Sequence, residues 1–169
     1  MKIDVITSPD EMIELSPVVP SIFLAGGITN CPDWQASIIP SLSKQLNKLS
    51  WPESMVIINP RRQVWDMKDP DAARKQIEWE HHFLRRADII SFWFPEETLC
   101  PITLFELGKK ICKPSNIFGL QQISVVGVHP RYARRFDIEV QCQLERSVPV
   151  VYSLKELVSA VVNEVYNLA

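Results

Sequence analysis

Residues 88–95 read DIISFWFP, and almost every position in this stretch is apolar. A strand of that composition is buried on both faces, as happens inside a parallel sheet that helices cover on both sides. We therefore place residues 88–95 at the centre of a sheet.

Short β-branched runs alternate with amphipathic stretches on both sides of this segment, which is the pattern of βαβ units. The other predicted strands are residues 21–28, 55–60, 122–130 and 148–153. The predicted helices are residues 34–49, 70–87, 102–112, 131–145 and 154–169, with Asp33 and Asp69 as N-caps of the first two. Residues 61–68 are predicted to be a polar loop.

This alternation predicts a single α/β domain over residues 1–169, a flavodoxin/Rossmann-like three-layer fold with a roughly five-stranded parallel sheet and right-handed crossovers. Residues 2–6 (KIDVI) could add an edge strand, and a linker with Pro17 and Pro20 would then lead into the domain.

The composition and charge limit the classes of partner that we expect for this protein. The chain has 169 residues, a net charge of −2 and a pI near 5.9. Without a basic surplus we expect no nucleic acid polymer as partner, and a small molecule fits better. We expect a cytoplasmic protein with no membrane association, since no secretory signal is visible and the apolar runs are too short to span a bilayer. The four scattered cysteines predict neither a disulfide nor a structural metal.

In folds of this kind ligands bind where strands end, so the segments after the strands are the candidate site. Gly26 and Gly27, followed by Ile28 and Thr29, would let the backbone approach a ligand closely, or they form only a tight turn. The chain contains no G-x-x-x-x-G-K-[ST] motif, which excludes an ordinary P-loop.

Glu106 is an unexpected acid on a short helix that otherwise carries Ile102, Leu104, Phe105 and Leu107. It is either a solvated acid favoured by the helix dipole or a carboxylate nucleophile that forms a covalent glycosyl intermediate. The residues alone leave both interpretations open.

Residues 76–88 (QIEWEHHFLRRAD) form an acid-rich helical segment. The adjacent His81 and His82 point in different directions on a helix, unlike the pair in H-E-x-x-H, so we expect no metal site. Glu80, on the helix that leads into the central strand, is the acid in this segment that we retain as a site candidate.

Residues 87–108 (ADIISFWFPEETLCPITLFELG), with FLAGGI at 23–28, resemble the nucleoside 2-deoxyribosyltransferases. The resemblance implies that Glu106, in its E-L-G context, is the nucleophile that takes the anomeric carbon. It also matches Asp88, eighteen residues earlier, with the acid that opens the strand, and it sets Glu80 where the family carries a site Asp.

The family pattern is broken at Cys100, which stands where relatives carry a second Asp that contacts the nucleobase and assists proton transfer. Either Glu96 or Glu97 takes over the acid role, with Glu97 our choice, or base recognition and leaving-group protonation differ in this protein.

The implied function is transfer of 2-deoxyribose between nucleobases, as in nucleoside salvage, through a glycosyl-Glu106 intermediate, with hydrolysis as a side reaction and no metal or organic cofactor. The implied assembly is a homo-oligomer, a dimer or a hexamer, with shared active sites. Other predicted substrate contacts are Gly26, Gly27, Trp34, Arg61, Asp88, Trp93, Phe94, Cys100 and His129.

Two alternatives remain at this point. The first is a nucleoside 5′-monophosphate N-glycosidase of the same fold, for which Gly26, Gly27, Thr29 and Arg61 would supply the phosphate site. The second is a non-catalytic nucleotide-sensing module, which Cys100 favours.

Overall fold

The computed structural model describes residues 1–64, 66–146 and 148–168. In those ranges the strands are β1 (Lys2–Thr7), β2 (Ser21–Gly26), β3 (Ser54–Asn59), β4 (Ile89–Phe94), β5 (Ile123–Val128) and β6 (Val150–Val151). The helices are α1 (Trp34–Leu46), α2 (Ala72–Leu84), α3 (Pro101–Cys112), α4 (Arg135–Arg146) and α5 (Leu154–Asn167). Three residues lie outside the described ranges: Trp65 of the predicted loop, Ser147 between the predicted helix 131–145 and the predicted strand 148–153, and Ala169 of the predicted closing helix.

The six strands form one parallel sheet in the order β1-β3-β2-β4-β5-β6. Every residue of β4 is buried, so the central position predicted for this strand is confirmed. The chain leaves β2 toward β3 and then crosses to β4 on the other side of β2. Such a reversal separates the loops that follow two adjacent strands and opens a crevice at their carboxyl ends.

Helices cover both faces of the sheet, which confirms the predicted three-layer α/β domain. Because side chains alternate along a strand, Phe23 and Ala25 of β2 pack on the α2, α3 and α4 side, while Ile22 and Leu24 pack on the α1 and α5 side. The α1 residues predicted to recur every four positions, Trp34, Ile38, Leu42 and Leu46, are all buried in the second of these clusters.

The edge strand suggested at residues 2–6 is present as β1, which pairs with β3 from Lys2↔Ser54 to Thr7↔Asn59. The sheet therefore has six strands among the described residues, one more than the five predicted without this edge.

Two predicted helix starts were wrong. Helix α2 begins at Ala72, not Pro70, because Asp69 closes a turn: its carboxylate accepts from Asp71 N at 2.9 Å and its carbonyl accepts from Ala72 N. Helix α4 begins at Arg135, not at residue 131, because successive turns join Tyr132 N to the carbonyl of His129 and Arg135 N to the carbonyl of Tyr132.

Candidate active site

A cavity of about 620 Å³ lies at the carboxyl edge of the sheet, beside the end of β2. Its wall is built from residues 26–29 after β2, residues from the segment after β3, the α2 side chains of Gln76 and Glu80, and a segment that ends at Glu106 of α3. The cavity therefore lies where the strand order predicts a crevice.

Gly26 and Gly27 are required by close packing at this wall. A Cβ on Gly26 would come within 2.5 Å of the Trp93 carbonyl oxygen, and one on Gly27 would come within 2.9 Å of Cys100 Sγ. The glycines thus let the loop after β2 lie against the end of β4 and the start of α3. Both glycines line the cavity, and the substrate contact predicted for them stays a prediction.

Trp34 and Arg61 support this loop from behind. Trp34 is 3% exposed, and its indole Nε1 donates to the Gly27 carbonyl at 2.9 Å. The buried Arg61 guanidinium donates to the carbonyls of Ile28, Cys31 (3.0 Å) and Pro32 (2.7 Å). Neither side chain belongs to the cavity lining, so the cavity does not support the substrate contacts predicted for Trp34 and Arg61; Arg62 is the arginine at the wall.

Two carboxylates from different helices line the cavity, Glu80 on α2 and Glu106 on α3. Burial is the main cause that raises the pKa of Glu106 from 4.5 to about 8, and the charge of Glu80 adds to it, while Lys109 and Lys110 oppose it. Burial also raises the pKa of Glu80. Two like charges that are both removed from water ionise together only at a high cost.

Glu80 is held by a hydrogen-bonded network that sequence reasoning missed. Gln76 Nε2 donates to Glu80 Oε1 at 2.7 Å, and Gln76 Oε1 accepts from Ser8 Oγ at 2.7 Å and from Arg62 Nε. The i, i+4 spacing of Gln76 and Glu80 on one helix was a signal that could have found the first contact. Ser8 carried no such signal, because it follows the distant edge strand β1.

Cys100 lies in the cavity wall as a neutral thiol. It has a left-handed backbone (φ 47°), it directly precedes Pro101 at the start of α3, and its Sγ donates to the Thr98 carbonyl at 3.4 Å. Burial raises the pKa of this thiol to about 12, with smaller contributions from Cys31 and Glu97. Cys100 therefore lines the cavity, and the substrate contact predicted for it stays a prediction; its neutral thiol does not replace the chemistry of a carboxylic acid.

The loop acids Glu96 and Glu97 lie outside the cavity lining. Glu96 is bound by the Arg131 guanidinium through both oxygens, a contact that lowers its pKa. Glu97 is exposed, although it is near enough to raise the pKa of Cys100. His129 is 3.8 Å from Glu96 and packs edge-on against Trp93, so it too stands apart from the cavity.

Three other residues predicted to contact substrate make packing contacts or hydrogen bonds within the sheet. Trp93 and Phe94 are nearly fully buried in β4, where Phe94 packs on Tyr132 at 5.4 Å between ring centroids. Asp88 precedes β4 and accepts from Ser21 N at 2.9 Å and Ser21 Oγ at 2.8 Å. Ser21 begins β2 and Asp88 directly precedes β4, so Asp88 lies at the amino edge of the sheet, opposite the cavity.

Within residues 1–64, 66–146 and 148–168, no helix is long and apolar enough to cross a bilayer. The same part of the chain contains no group of three or more His, Cys, Asp or Glu side chains arranged to hold a metal ion.

A parallel sheet between two layers of helices, with two carboxylates lining a crevice at its carboxyl edge, defines a doubly wound α/β domain with the kind of cavity in which such folds bind small molecules. The chain belongs to the nucleoside 2-deoxyribosyltransferase-like family, whose family model matches residues 19–123. This match confirms the resemblance read from the sequence, spans β2 through α3 with both cavity carboxylates, and indicates a nucleoside-type substrate. No curated protein matches the chain.

Proposed function

We propose that the protein cleaves the N-glycosidic bond of a 2-deoxyribonucleoside and transfers the deoxyribosyl group to a second nucleobase, with Glu106 as nucleophile. The observation that carries this proposal is that Glu106 and Glu80, from two helices, line one cavity at the carboxyl edge of the sheet. Family membership supports the choice of a nucleoside as substrate.

In the first step a Glu106 carboxylate oxygen forms a bond to the anomeric carbon. The bond from that carbon to the base nitrogen breaks, and its electron pair stays on the base, which takes up a proton. In the second step a nitrogen of the incoming base attacks the anomeric carbon, the proton of that nitrogen passes to Glu80, the ester bond breaks and the Glu106 carboxylate is regenerated. Water in place of the second base gives hydrolysis.

We assign the proton donor for the departing base to Glu80, in place of Glu97. Glu80 lines the cavity, whereas Glu97 is exposed, Glu96 is bound to Arg131 and the Cys100 thiol is neutral. At neutral pH the pKa of Glu106, raised to about 8, keeps a proton on its carboxyl. As Glu106 attacks, this proton moves to Glu80, which passes it to the base nitrogen.

A second candidate reaction is hydrolysis of a nucleoside 5′-monophosphate. The observation that favours it is that Arg62 and the glycine-containing segment 26–29 line the same cavity, because guanidinium groups and backbone amides bind phosphate.

We also propose that the protein is a homo-oligomer whose neighbouring subunit covers the cavity. Ile102 and Phe105 are each 65% exposed on α3, next to Glu106, and such apolar exposure beside a site supports a covering partner. Light scattering of the purified protein measures the number of subunits, and a monomer at micromolar concentration overturns this assembly.

One assay separates the reactions. The protein is incubated with 2-deoxynucleosides, with and without an acceptor base, and separately with their 5′-monophosphates, and the products are separated by chromatography. A new nucleoside supports transfer, whereas free base from monophosphates alone replaces it with the second candidate. A protein that turns over neither, yet binds them, is a sensing module.

Intact-mass measurement with a 2-fluoroarabinosyl nucleoside tests the nucleophile directly. We expect an increase by the mass of one fluorinated sugar residue, carried by the peptide that contains Glu106 and absent from Glu106→Ala. An adduct on another residue overturns the assignment.

A further inference from the structure

Gln76 is a buried amide whose two ends are both engaged. It lies one turn before Glu80 on α2, with 9% of its surface exposed. Its Nε2 donates to Glu80 Oε1 at 2.7 Å and to the Pro60 carbonyl at 2.9 Å. Its Oε1 accepts from Ser8 Oγ at 2.7 Å and from Arg62 Nε.

The partners determine which way the amide points. The Pro60 carbonyl oxygen only accepts and the Arg62 guanidinium only donates. A flipped amide would set Oε1 against the carbonyl and NH₂ against the guanidinium. The donor end of Gln76 is therefore committed to Glu80, by contacts that come from the segments after β1 and β3 as well as from α2.

We propose that Gln76 is a positioning residue that decides which member of the Glu80–Glu106 pair carries the shared proton. Its N–H occupies Glu80 Oε1 as an acceptor and favours the charged form of Glu80, so the proton rests on Glu106. The other oxygen, Oε2, is then the one through which Glu80 receives and releases a proton. The catalytic meaning of this arrangement rests on the proposed function, but the arrangement itself does not.

The charges around the pair agree with this direction. Burial is the largest effect on the pKa of Glu80 and raises it; the Gln76 hydrogen bond is the larger of the two effects that oppose burial, and Arg62 is the other. Charged Glu80 in turn raises the pKa of Glu106, against Lys109 and Lys110 on the same helix. Removal of the Gln76 donor should therefore raise the pKa of Glu80 and lower that of Glu106.

Carbon-detected NMR titration of the substrate-free full chain, labelled with ¹³C at the glutamate carboxyls, measures both pKa values. Glu80→Gln and Glu106→Gln assign the two signals. In the wild type we expect the higher pKa at Glu106. In Gln76→Met, which keeps the length of the side chain and loses the donor, we expect the pKa of Glu80 to rise and that of Glu106 to fall. Gln45→Met on α1, on the other face of the sheet, is the matched control and should move neither.

Opposite shifts distinguish positioning from a general loss of structure, which would not separate the two groups. Gln76→Glu keeps the shape of the amide and guards against misfolding of Gln76→Met. It places a like charge beside Glu80, whose pKa should rise further than in Gln76→Met. The proposal is overturned if the wild type shows the higher pKa at Glu80, or if neither variant raises the pKa of Glu80. Because no substrate is present, absent transferase activity together with opposite pKa shifts would reject the proposed reaction and leave this inference standing.

Discussion

Glu80 and Glu106 face the same cavity from two different helices, and burial together with the charge of Glu80 raises the pKa of Glu106 to about 8. Because charged Glu80 makes ionisation of Glu106 more costly, we expect Glu106 to keep its proton near neutral pH. The proposed roles of nucleophile and proton donor can be tested separately by experiment.

The first prediction concerns the leaving group. Glu80→Gln should lower kcat for ordinary deoxynucleosides by a factor of about 10² to 10⁴, the usual contribution of general acid catalysis. A 4-nitrophenyl 2-deoxyriboside, whose phenolate leaves without a proton, should restore most of this loss. Steady-state assays of both substrates measure the effect.

Glu106→Gln provides the contrast, since loss of the nucleophile should not be restored by any leaving group. If the activated substrate rescued Glu106→Gln and not Glu80→Gln, the two roles would have to be exchanged.

The second prediction is the pH dependence of cleavage. The active form of the pair has one proton, and this proton leaves as the pH rises through about 8. We expect kcat/KM for deoxynucleoside cleavage to fall on the alkaline side with an apparent pKa near 8. A rate that instead increases through pH 8 and then stays constant would show that ionised Glu106 acts alone.

The third prediction links Glu106 to stability. Its pKa is raised in the folded state from 4.5 to about 8, so folding takes up a proton between these values. The stabilisation is fully present below pH 4.5 and is lost as the pH rises to about 8. Relative to the wild type, Glu106→Gln should therefore gain roughly 2 to 4 kcal/mol in its free energy of unfolding between pH 4.5 and 8.5. Urea denaturation across this range measures the difference, and parallel curves for the two proteins would contradict the raised pKa.

The fourth prediction concerns the loop behind the cavity. Arg61→Met should lower the free energy of unfolding by roughly 2 to 4 kcal/mol, because it leaves the carbonyls of Ile28, Cys31 and Pro32 without their buried donor. Arg131→Met is the control: this arginine binds Glu96 at the surface, and its replacement should change stability little. Equal effects of the two substitutions would mean that Arg61 does not organise the loop.

The fifth prediction compares two glycines. Gly27→Ala should destabilise the protein by about 1 to 3 kcal/mol, since its Cβ would meet Pro95 at 2.8 Å and Cys100 Sγ at 2.9 Å. Gly108→Ala on α3 has no atom within 4 Å of the new Cβ and should stabilise the helix by up to about 1 kcal/mol. Thermal unfolding of both variants measures the difference, and a tolerated Gly27→Ala would show that the loop can move away from α3.

The layered fold could be predicted from local patterns in the sequence. The apolar run of β4 and the four-residue period of Trp34, Ile38, Leu42 and Leu46 are local patterns that are read directly as a buried strand and a half-buried helix. Glu106 also departs from the local pattern as an acid on an apolar helix, whereas its role as nucleophile comes only from the resemblance of the E-L-G segment and stays a prediction.

Only the tertiary structure decided which side chains share the cavity. Glu80 was a site candidate from the sequence and Gln76 lies one turn before it on α2, but the contacts of Gln76 with Ser8 and Arg62 depend on packing of the edge strand and the segment after β3 against α2. Arg61 and Arg62 are neighbours in sequence, yet one supports the loop and the other lines the cavity. Side-chain direction at the end of a strand is set by distant partners, and no local period encodes those partners. For this reason Glu106 could be proposed as the nucleophile from the sequence, whereas the contacts that hold Gln76 in place became visible only in the fold.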